Sequence, residues 1–255
     1  TCLGTPLDRA LRRGPAMTRA ASLLRADWRN LTRDPLLLFV IVMPFLFAGV
    51  VRAAFPWVVA LAAPRVALET YTPFVVGYFL ALTPMLVGGA TGFMLLDERE
   101  ENVLAAIAVT PLGKQGWLAY RVALPVAATA VMGAAAVYLT GLEPPPVARL
   151  LILAVLAALE APLATLLLAA VAANKVQAMA LAKAGTLVVV APLAALFVAP
   201  PWQYVAGLLP QYWLLKLTLA STAGALEFGA IATLAALVHG IALWGLARVY
   251  ERRVE

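Results

Sequence analysis

The chain has little of what a soluble enzyme works with. Its 255 residues hold one cysteine, Cys2, and one histidine, His239. A lone cysteine excludes an internal disulfide framework and a thiolate metal cluster. A lone histidine excludes the paired-imidazole zinc motifs, and no HExxH, glycine-rich phosphate loop, GxSxG or aspartate-rich phosphotransfer motif occurs. Charge is scarce as well: only 13% of residues are Asp, Glu, Lys or Arg, against roughly 25% in an ordinary globular chain. Period-two alternation is missing, which argues against a transmembrane barrel. No loop is long enough for a folded soluble domain, so the energy for any work must come from an ion gradient or from another chain.

What is present is apolar mass, 64% of the residues with a mean hydropathy of +0.92. A soluble domain of this size could not hide that surface, whereas lipid-facing helices need not. The apolar residues fall in runs of roughly 18 to 25, each long enough to cross a hydrocarbon core of about 30 Å as a helix. The expected fold is therefore all-α and polytopic, with six spans at about 36–55, 72–96, 117–141, 147–173, 176–198 and 226–249. The first apolar run is too long for a signal-peptide core and lacks a small-residue cleavage site, so it is expected to remain as a span. Residues 1–16 are expected to be a disordered or appended extension, with Met17 opening a more ordinary start.

Between Met17 and Asp34, Leu24, Trp28 and Leu31 recur at helical spacing, while Arg25, Arg29 and Arg33 repeat every fourth residue on another face. That pattern predicts an amphipathic helix over 17–34 lying in the membrane interface, basic side toward anionic headgroups; a basic stretch that merely sets orientation would carry the same charges. Asp34-Pro35 then supplies a cap and a proline at the first helical position. Pro44 is expected to kink the first span, with Arg52 near its outer end. The second carries a small-residue stripe, Gly77, Gly88, Gly89 and Gly92, that permits close helix approach.

With the N-terminus inside, 15 of the 19 basic residues lie on the cytoplasmic side, which places both termini in the cytoplasm. The stretch 200–222 tests the count. It is apolar, but Gln203, Pro210, Gln211 and Lys216 interrupt it, and Trp202, Tyr204, Tyr212 and Trp213 cluster as interfacial aromatics do. A pair of short re-entrant or surface-lying outer helices fits better than a seventh span, which would carry Arg248, Arg252 and Arg253 outside.

Candidate chemistry is confined to a few places. Glu160 lies in the fourth span two residues before Pro162, and a charge at that depth costs about 2.5–3.5 kcal/mol on insertion scales. It is either a substrate or proton site or a paired carboxylate joining two helices. His239 in the sixth span packs, makes an interhelical hydrogen bond or touches substrate. Lys183 is read as snorkelling. The densest charge is Asp97, Glu98, Arg99, Glu100 and Glu101, followed by the apolar Val103, Leu104, Ile107 and Ala108 and ended by Thr110-Pro111. This is read as a cytoplasmic helix over 97–112 with acids in its first turn, where the helix dipole favours them. Its net acidity is more than positive-inside topology requires, so it is expected to dock on a soluble partner.

An acidic-basic-acidic cluster closing the second span, a short apolar helix ending in Val109-Thr110-Pro111-Leu112, and the entry Trp117, Tyr120, Arg121 to the third span together resemble the permease subunits of type-2 ABC exporters. The likeness covers most of the chain from Met17, including the interfacial helix, the six-span order and the outer helices before the last span. Within that family the chain is most similar to bacterial drug-export permeases of the fluoroquinolone group, through Asn174-Lys175-Val176-Gln177 and Leu208-Leu209-Pro210. It departs from the family in having Glu101-Asn102 where many members have Gly-Thr.

The resemblance implies a bacterial cytoplasmic-membrane subunit that is not itself an enzyme and exports a hydrophobic or amphipathic substrate. It implies a second permease copy or homologue, and a separate ATPase subunit that holds ATP and Mg, with no cofactor on this chain. Asp97, Glu98, Arg99, Glu100, Glu101, Thr110 and Pro111 would take the push of the ATPase, and Asn174 and Lys175 would make a smaller contact. Membrane lipid surrounds such a subunit and nucleic acid plays no part. Tyr78 and the glycine stripe would either line the pathway between two copies or serve helix packing. Two other readings follow from the residues alone: a proton-coupled transporter using Glu160, and a membrane enzyme acting on lipid.

Overall fold

The computed structural model describes residues 35–63, 65–110, 113–185 and 192–254. The chain divides into two compact units after Val42. The described part of the first is the opening of one helix, residues 35–42; the second is a helical bundle. Among the described residues there is no strand.

In chain order the helices are α1 (Pro35–Ala62), α2 (Thr72–Glu100), the short α3 (Val103–Ala108), α4 (Gly113–Leu139), α5 (Val147–Ala158), α6 (Glu160–Val171), α7 (Lys175–Gly185), α8 (Ala194–Phe197), α9 (Pro210–Leu219) and α10 (Ala225–Val254). Five segments among the described residues are long and apolar enough to cross a membrane: Leu37–Ala62, Leu68–Glu100, Gly116–Leu139, Val147–Val171 and Ala225–Arg253. The expected span at 176–198 falls partly outside the described residues. Its first half is α7, and Ala194–Phe197 near its end is helical.

The spans run further than hydropathy alone indicates. α1 passes through Pro56 to Ala62, so Arg52 lies ten residues inside its end rather than at the boundary, and its guanidinium lies beside Gly141. α10 continues through Arg252 and Arg253. The break between α5 and α6 has one cause. Pro162 has no N–H for the carbonyl of Ala158, and Leu159 at the junction keeps helical angles of φ −68° and ψ −16°. The two segments therefore form one span with an irregular turn at its middle, directly beside Glu160.

α2 and the α5–α6 span form the centre. They come close at Gly88, whose carbonyl accepts a 2.8 Å hydrogen bond from the buried Thr165 Oγ1. Leu80, Val76, Phe79, Leu153 and Leu156 pack with Leu214 and Leu217 of α9 and with Phe228 and Ala235 of α10. At one end Leu95, Leu166, Ala169 and Tyr250 form a second cluster. By contrast, α1 and α10 turn large apolar side chains outward, among them Phe47, Trp57, Leu237, Ile241 and Trp244. Such a surface suits lipid, where only helices and closed barrels satisfy their own backbone.

The segment before the last span consists of a 3-10 turn (Trp202–Leu208), α9 and a second 3-10 turn (Ala220–Thr222). With ten residues α9 is about 15 Å long, half of what a crossing needs. It is no surface helix, because Tyr212, Leu214 and Leu217 have no exposure at all. Buried Gln203 accepts hydrogen bonds from Tyr212 Oη and Lys216 Nζ, each at 3.0 Å, and Trp213 Nε1 donates to the Gly207 carbonyl.

Candidate functional site

Two groups of polar residues stand out, one at the end of the bundle where α2 finishes and one in its interior. The acidic run is not the first turn of a separate helix. α2 continues without interruption through Asp97, Glu98, Arg99 and Glu100, and Glu101 caps its C-terminus. Nothing between Leu96 and Glu101 breaks a helix, so the helix goes on. The dipole reading is thereby corrected, since the acids sit at the end where negative charge is disfavoured. Asp97 and Glu98 are held by cations brought from elsewhere.

Glu98 is the innermost of them. Its carboxylate pairs with Arg121 of α4 and accepts a 2.8 Å hydrogen bond from Trp117 Nε1. The guanidinium of Arg121 lies 4.5 Å from the centre of the Trp117 ring, and the two charged side chains are only 10% and 13% exposed. Removing one partner of a pair this deep costs about 3–5 kcal/mol. Asp97 meets Lys175 at 3.0 Å, but that pair is half exposed and is worth about 0–1 kcal/mol. Glu100 accepts from the backbone N–H of Lys175 at 3.3 Å.

Arg99 points the other way. It donates to the carbonyls of Ala169, Ala172 and Ala173 at 3.2, 2.8 and 2.9 Å, and Arg253 of α10 donates to Ala172 O at 3.0 Å. These are orphan carbonyls at the C-terminal end of α6, and cations there are favoured both as hydrogen-bond donors and by the dipole. The turn that follows is closed by its own side chains: Asn174 Oδ1 caps the N–H of Gln177, and Gln177 Oε1 accepts from the N–H of Ala173. Residues of α2, α4, α6, the α6–α7 turn and α10 are thus tied together at one end.

Beyond this joint the chain turns at Asn102, which has a left-handed φ of +57°, a conformation Asn tolerates better than most residues. The six-residue α3 follows. Glu100, Glu101, Asn102, Ala105, Ala106, Ala108, Val109 and Thr110 are exposed, Val109 to 87%. An apolar stub is therefore exposed beside two acids. Pro111 and Leu112 lie outside the described residues, as do Arg25, Trp28, Arg29 and Arg33 of the expected interfacial helix. Exposed Asn174 and Lys175 adjoin the cluster through Asp97 and Glu100.

In the interior, Glu160 of α6 and His239 of α10 come together with 1% and no exposure. His239 Nδ1 lies 2.7 Å from the Ala235 carbonyl and Nε2 3.0 Å from Glu160 Oε1. A carbonyl only accepts, so Nδ1 carries a hydrogen, and one further proton lies between Nε2 and Oε1. Glu160 Oε2 accepts from Nε2 of Gln211, on α9. Gln211 in turn lines a narrow cleft with Phe74, Tyr78, Leu82, Met85 and Leu215. Phe74 and Tyr78 stack at a centroid distance of 6.3 Å, and Tyr78 is 42% exposed. Tyr78 thus reaches the cleft, while Glu160 and His239 lie behind it. Among the described residues no three His, Cys, Asp or Glu side chains converge as metal ligands would.

Sequence reasoning singled out Glu160 and His239 separately and missed Gln211, which joins them to the cleft. The available signal was that two buried titratable groups in apolar spans each require a polar partner. Gln211 was one of two glutamines in the neighbouring apolar stretch, Gln203 being the other.

A family model described as fluoroquinolones export permease protein Rv2686c-like matches residues 27–247. Two curated relatives from Mycobacterium tuberculosis, the fluoroquinolones export permease proteins MT2760 of strain CDC 1551 / Oshkosh and Rv2686c of strain H37Rv, are each 32% identical over 197 residues, covering 75% of this chain and 78% of theirs. No solved structure matches. With five membrane-length helices among the described residues and a match running from residue 27 to residue 247, the chain belongs to the Rv2686c-like family of export permeases.

Proposed function

We propose that this chain is the membrane-spanning subunit of an ATP-driven exporter whose hydrolysis takes place in a separate nucleotide-binding chain. A hydrophobic or amphipathic compound of the drug type named for its relatives would be the cargo. The observation that carries the reading is the joint at the end of α2. On its outer side are exposed acids and an apolar stub, on its inner side Glu98 and Arg99, which fasten α2 to α4 and α6. A push on the stub is delivered to α2 and α4, which flank it in the chain, and through Arg99 to the end of α6, where Arg253 anchors α10.

In this arrangement 176–198 completes six spans, and both termini lie in the cytoplasm of a bacterial inner membrane. Residues 17–34 lie in the interface, and a second permease copy faces the cleft beside Tyr78. The partner ATPase supplies ATP and Mg. Asn174 and Lys175 form the smaller contact, braced by Asp97 and Glu100.

The test is the ATPase activity of the partner chain, measured with and without this subunit in nanodiscs. Glu101→Lys and Val109→Asp change exposed groups only, so the subunit should insert normally while losing the stimulation it gives. Undiminished stimulation by both variants would sink the proposal.

A second reading has one observation in its favour, the buried 3.0 Å contact between Glu160 Oε1 and His239 Nε2. It makes the chain a proton-coupled transporter, and it requires uptake by the purified chain alone under a pH gradient, abolished by Glu160→Gln.

A further inference from the structure

In the half of the bundle remote from the joint, α5 and α10 leave a wide, open groove between them, with about 530 Å³ of room. Leu151, Ile152 and Val155 line it from α5, and the smaller Ala232, Thr233 and Ala236 from α10. Leu151 and Val155 are 60% and 59% exposed. From Phe228 to Ala236 the last span rises about 12 Å at 1.5 Å per residue. That is close to one leaflet's share, about 15 Å, of the hydrocarbon core.

A cation stands at the far end of this groove. Arg149 precedes Ile152 by three residues on α5, and Phe228 precedes Ala232 by four on α10, so the two form the layer one turn beyond the groove. They meet there, with the Arg149 guanidinium 4.9 Å from the centre of the Phe228 ring. Arg149 Nη1 donates to the Ser221 carbonyl. The ring and the carbonyl fix the guanidinium in place, yet they engage only one of its five N–H donors. The others meet no protein acceptor among the described residues. Glu143 and Glu227 at the same end are exposed, and neither pairs with it there.

We propose that this groove binds one phospholipid molecule, its phosphate on Arg149 and one acyl chain laid between α5 and α10. An arginine fork matches phosphate oxygens through paired N–H donors, and the apolar walls below it take the chain. The bilayer supplies both parts in one molecule at the depths where the groove presents them. A second copy of this chain is assigned to the cleft beside Tyr78, which shares no lining residue with the groove.

The test is native mass spectrometry of the full-length chain released from a non-ionic detergent, titrated with dioleoylphosphatidylglycerol or with dioleoylglycerol, which has the same chains and no phosphate. The affinity of the first bound lipid is read. The wild type should hold the phospholipid about tenfold more tightly than the diacylglycerol, the worth of a charge-assisted hydrogen bond. Arg149→Gln should remove that preference, while Arg65→Gln, at an exposed arginine away from the groove, should keep it. Ala236→Phe, which fills the groove from an exposed position, should weaken both lipids about tenfold, as losing roughly two buried methylenes suffices for this.

Equal affinity of the two lipids in the wild type would overturn the proposal, and that comparison needs no variant to fold. So would a preference that survives Arg149→Gln, or lipid binding untouched by Ala236→Phe. If Ala236→Phe instead converts a dimer to monomers without moving lipid affinity, the groove belongs to a second copy and the lipid site is refuted.

Discussion

Gly88 and Gly89 are neighbours in α2 with opposite surroundings, and substituting each by alanine tests the central helix contact. A Cβ on Gly88 would stand 2.2 Å from the Ala161 carbonyl oxygen and 2.8 Å from Ala161 C and Cα. An ordinary carbon–oxygen contact is about 3.3–3.6 Å, so α2 and α6 would have to part by about 1 Å. The obstacle is backbone and cannot rotate aside. Overpacking of this kind costs about 1–3 kcal/mol, and stretching the 2.8 Å bond from Thr165 to the Gly88 carbonyl adds about 1 kcal/mol. Against this, alanine regains up to about 1 kcal/mol of helix propensity. The net loss for Gly88→Ala is about 2 kcal/mol. A Cβ on Gly89 meets nothing within 4 Å, so Gly89→Ala keeps only the propensity gain. The two variants should differ by about 3 kcal/mol, more than a hundredfold in the folding equilibrium. Reversible unfolding in mixed micelles with increasing denaturing detergent reads this difference. Equal midpoints for the two variants would refute the described α2–α6 contact.

Two further outcomes follow from the joint at the end of α2. Asn102 holds a left-handed turn, so Asn102→Gly should leave the stability of the chain and its stimulation of the partner ATPase nearly unchanged. Asn102→Val should cost about 1–2 kcal/mol and reduce stimulation; equal behaviour of the two variants would remove the turn from the account. For the buried pair, Glu98→Gln and Arg121→Met should each destabilise by several kcal/mol. The double variant should fall short of their sum by about 1–3 kcal/mol, read from the same unfolding series; additive losses would show that the pair does not act as a unit.

Run length and the lack of interruption announced the membrane helices, because the physics of a long apolar helix in lipid is local to the sequence. Their ends were harder to read. Hydropathy falls at Asp97 and at Arg252, but backbone hydrogen bonding does not, and both helices run on into charge. The acidic run was legible as a charge cluster and misread as a helix start, since no local signal shows that Glu98 meets Arg121 and Trp117 or that Arg99 reaches the carbonyls of Ala169, Ala172 and Ala173. Those contacts depend on how α2, α4 and α6 register against one another. The interior trio was hidden for the same reason. Glu160 and His239 are 79 residues apart, and the ten-residue α9 brings Gln211 beside both. Asn102 was legible in type but not in role, as asparagine serves in turns of many kinds.

The central claim is that this chain moves its cargo on energy supplied by another protein. Uptake of a fluorescent fluoroquinolone into inside-out vesicles tests it most directly, with the chain reconstituted alone or together with its proposed nucleotide-binding partner, under ATP or under an imposed pH gradient. The account predicts accumulation only when both proteins and ATP are present, and none from the gradient. Accumulation by the chain alone under the pH gradient, without ATP, would contradict it.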